Sequence, residues 1–271
     1  MQSMKNLSRR QLLKVSGSAL LASAVWPGAL WADDSMGENF GFLVVNDLHF
    51  FDNKCVPFFE KAVASMAATK GPMDFCIIAG DLSESGSAEQ ISAVRDLFKK
   101  LNMPLYTVPG NHDYTPKNDR SAYEELMPKM IDYTFDHKGW QFVALDSTDG
   151  TKAKVAVLKP TLEYISETAP KLDQKRPTIL FTHFPLGKDV TNRATNADAV
   201  LEPFKPLNLR SVFGGHYHAY TERKMGEVTL TTNRCCSFHV KNHDGSKEKG
   251  YFVCQAKDGK VERSFVEVPV A

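Results

Sequence analysis

Five short runs of β-prone residues punctuate the chain: GFLVV (41–45), FCIIA (75–79), LYTV (105–108), TILF (178–181) and RSVF (210–213). Runs of four or five residues with no polar alternation predict strands buried on both faces. Between them, VPFFEKAVASMAAT (56–69), SAEQISAVRDLFKKL (87–101) and LKPTLEYISETAPKL (158–172) repeat apolar residues at helical spacing. Ser87 is placed to cap the second of these, with Gln90 completing a capping box. Strands alternating with helices predict an α/β fold, in which ligands collect beyond the carboxyl ends of the strands.

Each run ends in polar residues of one chemical kind. In order these are NDLH (Asp47, His49), GDLSE (Asp81, Glu84), GNHD (Asn111, His112, Asp113), THFP (His183) and GGHYH (His216, His218). Singly, Asp81 reads as a cap, Asn111 as a turn former and His183 as a core histidine bonded to backbone. Together they are a ligand set. In an extended segment positions i and i+2 face the same way, so His216 and His218 can converge. Buried carboxylates and imidazoles need partners, and a cation satisfies several at once. Oxygen and nitrogen donors without thiolate suit Mn, Fe or Zn better than a cysteine-rich structural zinc site does.

The first 32 residues read as an export signal. SRRQLLK (8–14) carries paired arginines, VSGSALLASAVW is a short apolar region, and ALWA offers small-residue cleavage after Ala32. That apolar region is shorter than the roughly 20 residues a spanning helix needs. SRRQLLK resembles the twin-arginine (Tat) motif, with Leu12 where phenylalanine is commoner. The resemblance implies transit through the Tat export machinery and a periplasmic or secreted product. No membrane span is expected in the mature chain of residues 33–271, which is read as one domain.

Removing this leader changes the charge. The full chain holds 33 basic and 32 acidic residues; without Lys5, Arg9, Arg10 and Lys14, 29 basic face 32 acidic, a net of −3. Such a surface gives no electrostatic reason to expect nucleic-acid or membrane binding. Five cysteines in an oxidising compartment point to disulfides, but their number is odd and their spacing fits no framework. Cys76 reads as a core residue, Cys235 and Cys236 are neighbours, and a bridge from one of them to Cys254 or Cys55 is left open.

DLH, GDLSE, GNHD, THFP and GGHYH, in that order, resemble the motif set of the calcineurin-like metallophosphoesterase superfamily. The stretch YTFDHKGWQFVALDST (133–148) is similar to that superfamily's strand pair after GNHD. The resemblance runs from about residue 40 to the C-terminus. It implies a four-layer α/β/β/α sandwich, two mixed sheets face to face with helices outside. It also implies two divalent or trivalent metal ions, from Mn, Fe or Zn. Asp47, His49, Asp81 and His218 would hold one, and Asn111, His183 and His216 the other, with Asp81 bridging. A hydroxide between the two would attack a small-molecule phosphate ester. His112 is then the candidate proton donor to the leaving group, oriented by Glu84. Asp113 is expected to cap the following loop.

Within the superfamily, Glu84 stands where purple acid phosphatases carry an iron-binding tyrosine, and no GDYVDRG continuation is present. The compact forms GDLSESG and GNHD are most similar to the cyclic-nucleotide phosphodiesterase-like branch, whose members often read HHP where this chain has His183-Phe184-Pro185. A phosphodiesterase is the first expectation. A phosphomonoesterase, a metal-dependent hydrolase of a non-phosphate bond and a noncatalytic metal-binding envelope protein are the alternatives. Of the remaining histidines, His137 and His243 are expected to be solvated, and His239 to be a lesser candidate approaching from the second sheet. Loops 114–130 and 186–198 are candidates to select substrate, through Tyr114, Asn192 or Arg193.

Overall fold

The computed structural model describes residues 37–270; the stretch read above as an export signal, residues 1–32, lies outside them. The elements follow in the order β1 (Phe40–Val45), α1 (Val56–Ala67), β2 (Met73–Ala79), α2 (Ala88–Phe98), β3 (Leu105–Val108), α3 (Ser121–Leu126), β4 (Tyr133–His137) and β5 (Trp140–Leu145). After these come α4 (Lys159–Thr168), β6 (Thr178–Thr182), α5 (Ala197–Leu201), β7 (Leu209–Gly214), β8 (Thr221–Met225), β9 (Val228–Thr232), β10 (Gly250–Lys257) and β11 (Lys260–Glu267). All five β-prone runs are strands. Two mixed sheets result, ordered β11-β10-β1-β2-β3 and β4-β5-β6-β7-β9-β8.

The apolar runs are continuous because both faces of each inner strand are covered. On β1, Phe42 and Val44 point between the sheets while Leu43 and Val45 point to the helices; on β2, Phe75 and Ile77 face inward while Cys76 and Ile78 face outward. The second sheet repeats this with Phe142 and Ala144 against Val143 and Leu145. The layer between the sheets is aromatic. Phe142 stacks on Phe135 with ring centroids 4.5 Å apart, and its edge meets Phe75 at 5.3 Å. Helices α1 and α2 cover the first sheet, and α4 and α5 the second, which completes the expected α/β/β/α sandwich.

Some local expectations change. Ser87 does cap α2 by accepting from the Gln90 backbone at 3.3 Å, but Gln90 does not reach back to complete a capping box. Its side-chain oxygen instead accepts from the Glu84 and Ser85 backbones at 3.2 and 2.9 Å, anchoring the GDLSE loop to the helix. His137 is half-buried rather than solvated: Nε2 lies 2.7 Å from the Asp74 carboxylate, and the ring packs edge-on against Phe40 and Phe75. All five cysteines are free and buried.

β1, β2 and β3 run parallel, as do β5, β6, β7 and β9. Their carboxyl ends therefore bring the polar endings together, and backbone bonds tie them. The Asp47 amide donates to Gly80 O at 3.1 Å, His49 to Asp81 O at 3.0 Å, and Gly215 to His183 O at 2.8 Å.

Candidate metal centre

Asp47, His49, Asp81, Asn111, His183, His216 and His218 are all buried at this end of the sheets. Their ligand atoms form two groups that could each hold a cation, Asp47-His49-Asp81-His218 and Asp81-His183-His216, with Asp81 common to both. Asn111 joins the second group, its Oδ1 lying 3.2 Å from His183 Nε2. Asp47, His49, Asp81, His216 and His218 all have positive φ, between 47° and 62°. For residues with a Cβ, left-handed backbone costs roughly 1–2 kcal/mol each, and such strain concentrates where a site demands a fixed side-chain direction.

Each of the four histidines has one nitrogen turned to a group outside the cluster and the other facing into it. His183 Nδ1 donates to Ala79 O at 3.0 Å, His49 Nδ1 to the Glu84 carboxylate at 2.9 Å, and His216 Nε2 to Ala153 O at 3.0 Å. His218 Nδ1 is turned to Lys241 O at 3.4 Å. This is the arrangement by which outer partners fix tautomer and ring orientation for a metal ligand.

The donor set fits a cation on two further observations. Asp81 Oδ2 is buried and accepts no hydrogen bond, while His49 Nε2 and His183 Nε2 converge on it at 3.5 and 3.4 Å. The Nε2 atoms of His49 and His218 face each other 3.2 Å apart, and His218 Nε2 also lies 3.3 Å from Asp47 Oδ1, an arrangement that needs a proton or a metal cation between the two rings. The electrostatics agree. Burial pushes both aspartates up, yet His218 then His183 hold Asp47 well below the usual carboxylate range, and His183 then His49 do the same for Asp81. In return, against the opposing effect of burial, Asp81 raises His183 to about 9 and Asp47 raises His218 to about 11. His216, desolvated and beside His183, is lowered to about 4. Two carboxylates thus demand two positive charges here, which protons on His183 and His218 supply and metal cations can replace.

Glu84 serves a different histidine from the one expected. Its carboxylate binds His49, whereas His112 Nδ1 lies 3.8 Å from that carboxylate and 3.0 Å from the Glu84 backbone oxygen. His112 is half-buried beside the cluster, its backbone N–H donating to Asp81 Oδ1 at 2.8 Å. Asp113 does not cap the following loop. It is buried and accepts from Gly110 N at 2.9 Å, Ser83 N at 2.9 Å and Leu82 N at 3.2 Å, tying GNHD to GDLSE. Burial, and then the Asp81 charge, raise it to about 6.

His239 reaches the site from the loop after β9, its Nε2 3.5 Å from Glu84 and its ring edge-on to Phe51. His243 is exposed as expected, but its ring stacks on His218 with centroids 4.6 Å apart. Two of the three substrate-loop candidates are otherwise engaged. Tyr114 is buried with its hydroxyl bonded to Thr148 and Arg120, and Arg193 binds Asp198 and the Leu186 carbonyl. Phe184 is fully buried, 4.0 Å ring to ring from His216, so it braces a ligand rather than lining an open pocket.

The family description "Calcineurin-like phosphoesterase" matches residues 40–220, and the chain belongs to this family of metal-dependent phosphoesterases. A Fibrobacter succinogenes protein named "Probable cyclic nucleotide phosphodiesterase" is 28% identical over 179 residues, covering 58% of this chain and 62% of its own length. The chain thus spans less than two thirds of that relative. A Pseudomonas aeruginosa protein named 3′,5′-cyclic adenosine monophosphate phosphodiesterase is 24% identical over 221 residues, covering 77% of this chain and 80% of its own. Among solved structures, a purple acid phosphatase from yellow lupin superposes with a TM-score of 0.61 at 11% identity, over 86% of this chain and 52% of that one. That likeness concerns the fold. No helix among the described residues is long and apolar enough to cross a membrane.

Proposed function

We propose that the chain hydrolyses a phosphodiester at a centre of two metal ions. Asp47, His49, Asp81 and His218 would hold one ion and Asn111, His183 and His216 the other, with Asp81 serving both. The observation that carries this reading is the buried, unbonded Asp81 Oδ2 between two groups of oriented ligands. When bound, such a pair of cations makes water nucleophilic at neutral pH and offsets charge on the phosphoryl oxygens. The chain's own part is orientation. Ala79 O, Glu84, Ala153 O and Lys241 O turn the four imidazoles, and Asp113 holds the GNHD and GDLSE loops in register. His112, fixed through Nδ1 by the Glu84 carbonyl, has Nε2 left to deliver a proton to the leaving alkoxide.

The named activity of the two relatives supports a diester and makes cyclic AMP a substrate to assay. The test is hydrolysis of bis(p-nitrophenyl) phosphate beside p-nitrophenyl phosphate by residues 33–271 with Mn, Fe or Zn, and Asp81→Asn as blank. Faster turnover of the diester supports the proposal; preference for the monoester makes the chain a phosphatase. Metal-independent activity, or none on either ester, defeats it. His218→Ala should lose one ion of the pair preferentially, so equal retention of both would refute the partition. We further propose that residues 1–32 direct Tat export to the periplasm or medium, on the strength of Arg9-Arg10 and the cleavage site at Ala32. Replacing both arginines by lysine should leave the protein in the cytoplasmic fraction; unchanged export would refute this.

A further inference from the structure

The loop between β9 and β10 has no part in holding the centre beyond its contacts with His218 and Glu84, yet it encloses a pocket of about 420 Å³. Lys241, Lys247, Lys249, His239, Asn242 and Ser246 line it, and no carboxylate among the described residues does. Two of these residues border the centre as well. The Lys241 carbonyl faces His218 Nδ1, and His239 Nε2 lies 3.5 Å from Glu84.

Lys249 is the informative residue. It is 7% exposed, and its ammonium contacts the Val240 carbonyl at 2.5 Å and the Cys235 sulfur at 3.0 Å. An ammonium has three N–H groups, so one donor is left. No carboxylate among the described residues lies within ion-pairing distance of it. A buried cation without a counterion is costly unless an anion completes the site. Lys241 and Lys247 are exposed, and with Asn242 and Ser246 they supply further donors at the same mouth.

We propose that this pocket receives a second anionic group, a phosphate carried on one of the alcohols of the substrate ester. The volume lies in the range of small-molecule sites. The proposal rests on the phosphoesterase reading for what occupies the metal centre, and it narrows the substrate class to esters bearing two anionic groups, unlike a cyclic mononucleotide.

The test is calorimetric titration of the full chain, supplied with manganese, with thymidine 3′,5′-bisphosphate and with thymidine 5′-monophosphate. The bisphosphate should bind about tenfold more tightly or better, as expected for charge-assisted hydrogen bonds to a desolvated cation. Lys247→Ala and Lys249→Gln should each reduce that preference; Lys247 is exposed, so its replacement tests the pocket even if the buried Lys249 change disturbs the fold. Equal affinity for the two nucleotides overturns the proposal. So does a preference that survives both substitutions, or one lost equally in Lys257→Ala/Lys260→Ala outside the pocket. Hydrolysis of bis(p-nitrophenyl) phosphate by the unaltered chain keeps the two readings apart. A protein that prefers the bisphosphate but hydrolyses no ester retains the pocket and loses the phosphoesterase.

Discussion

Gly110 opens the GNHD turn with φ −105°, a conformation alanine adopts without strain. Its side of the backbone is nevertheless closed: a Cβ there would lie 2.7 Å from the Asp81 carboxyl carbon and nearer still to Oδ1 and the Asp81 backbone nitrogen. Ordinary contact begins at 3.4 Å, so to clear Oδ1 and the Asp81 backbone nitrogen the Asp81 carboxylate or the Gly110 loop must shift by more than about 1 Å. Neither is free to do so, because the His112 amide holds Oδ1 at 2.8 Å and Asp113 fastens the loop to Gly110 N, Ser83 N and Leu82 N. Misplacement on the order of 1 Å at a reacting centre costs about 10²-fold. Gly110→Ala is therefore expected to lower kcat/KM for bis(p-nitrophenyl) phosphate by about 10²-fold and to weaken metal binding, measured by metal content after gel filtration. Gly71→Ala is the control. Its φ of +88° makes alanine strained there, but no atom lies within 4 Å, so stability falls by about 1 kcal/mol and turnover does not. A Gly110→Ala protein with full metal content and turnover within threefold of the parent would refute the reasoning that Asp81 is held in one working position.

Three further outcomes follow from other parts of the molecule. Glu84→Ala removes the acceptor that turns His49, so metal affinity should drop by about 10- to 100-fold, whereas Glu84→Gln, which keeps an acceptor oxygen, should drop it less; equal losses in metal titrations would contradict the orienting role. Asp132 accepts from Asp146 N and Thr161 Oγ1, both at 2.8 Å, and burial raises its carboxyl from 3.8 to about 6. The folded chain then binds the Asp132 proton more tightly than the unfolded chain, so this stability is fully present below pH 4 and is lost as pH rises through about 6. Asp132→Asn should gain up to about 3 kcal/mol at pH 8 and little at pH 4 by thermal unfolding, and a gain independent of pH would be evidence against it. Phe142→Ala, in the aromatic layer between the sheets, should cost about 3–5 kcal/mol in urea unfolding; a loss under 1 kcal/mol would mean that layer is not close-packed.

The strands that carry the site were legible because their signal is local. A run such as FCIIA can only be buried on both faces, and its termination in Gly80-Asp81 marks the end at which ligands gather. The edge strands β8 (TERKM, 221–225) and β11 (KVERSFVE, 260–267) are rich in charge and gave no such mark, while the apolar run YFVC (251–254) of the inner strand β10 ends in no ligand residue. Side-chain identity also revealed the seven buried donors, but not who orients them. Three of the four orienting groups for histidines are backbone carbonyls, of Ala79, Ala153 and Lys241, and a carbonyl has no letter of its own in a sequence. Glu84 was visible as an acid near the site, yet whether it faces His49 or His112 depends on the Gln90 bonds that pull its loop onto α2. Asp113 had a sequence mark, two residues after Asn111, but its partners Leu82 and Ser83 are brought beside it only by the parallel pairing of β2 and β3.

The same residues explain why the backbone tolerates its strain. Asp47 and His49 are held in left-handed conformation by amide bonds to Gly80 O and Asp81 O, and His216 donates its own N–H to both Asp47 carboxylate oxygens at 3.0 Å. Asp47, His49 and His216 are thus each locked by a neighbour belonging to a different strand end. Loops that were free to relax would leave these conformations, since glycine alone adopts them at no cost. The strain therefore reflects how firmly β1, β2, β6 and β7 fix one another, and it falls on the residues that keep the carboxylates of Asp47 and Asp81 close together despite their charge. A fold that spends stability on holding two aspartates side by side, with an unbonded oxygen between sets of oriented imidazoles, is organised around cations.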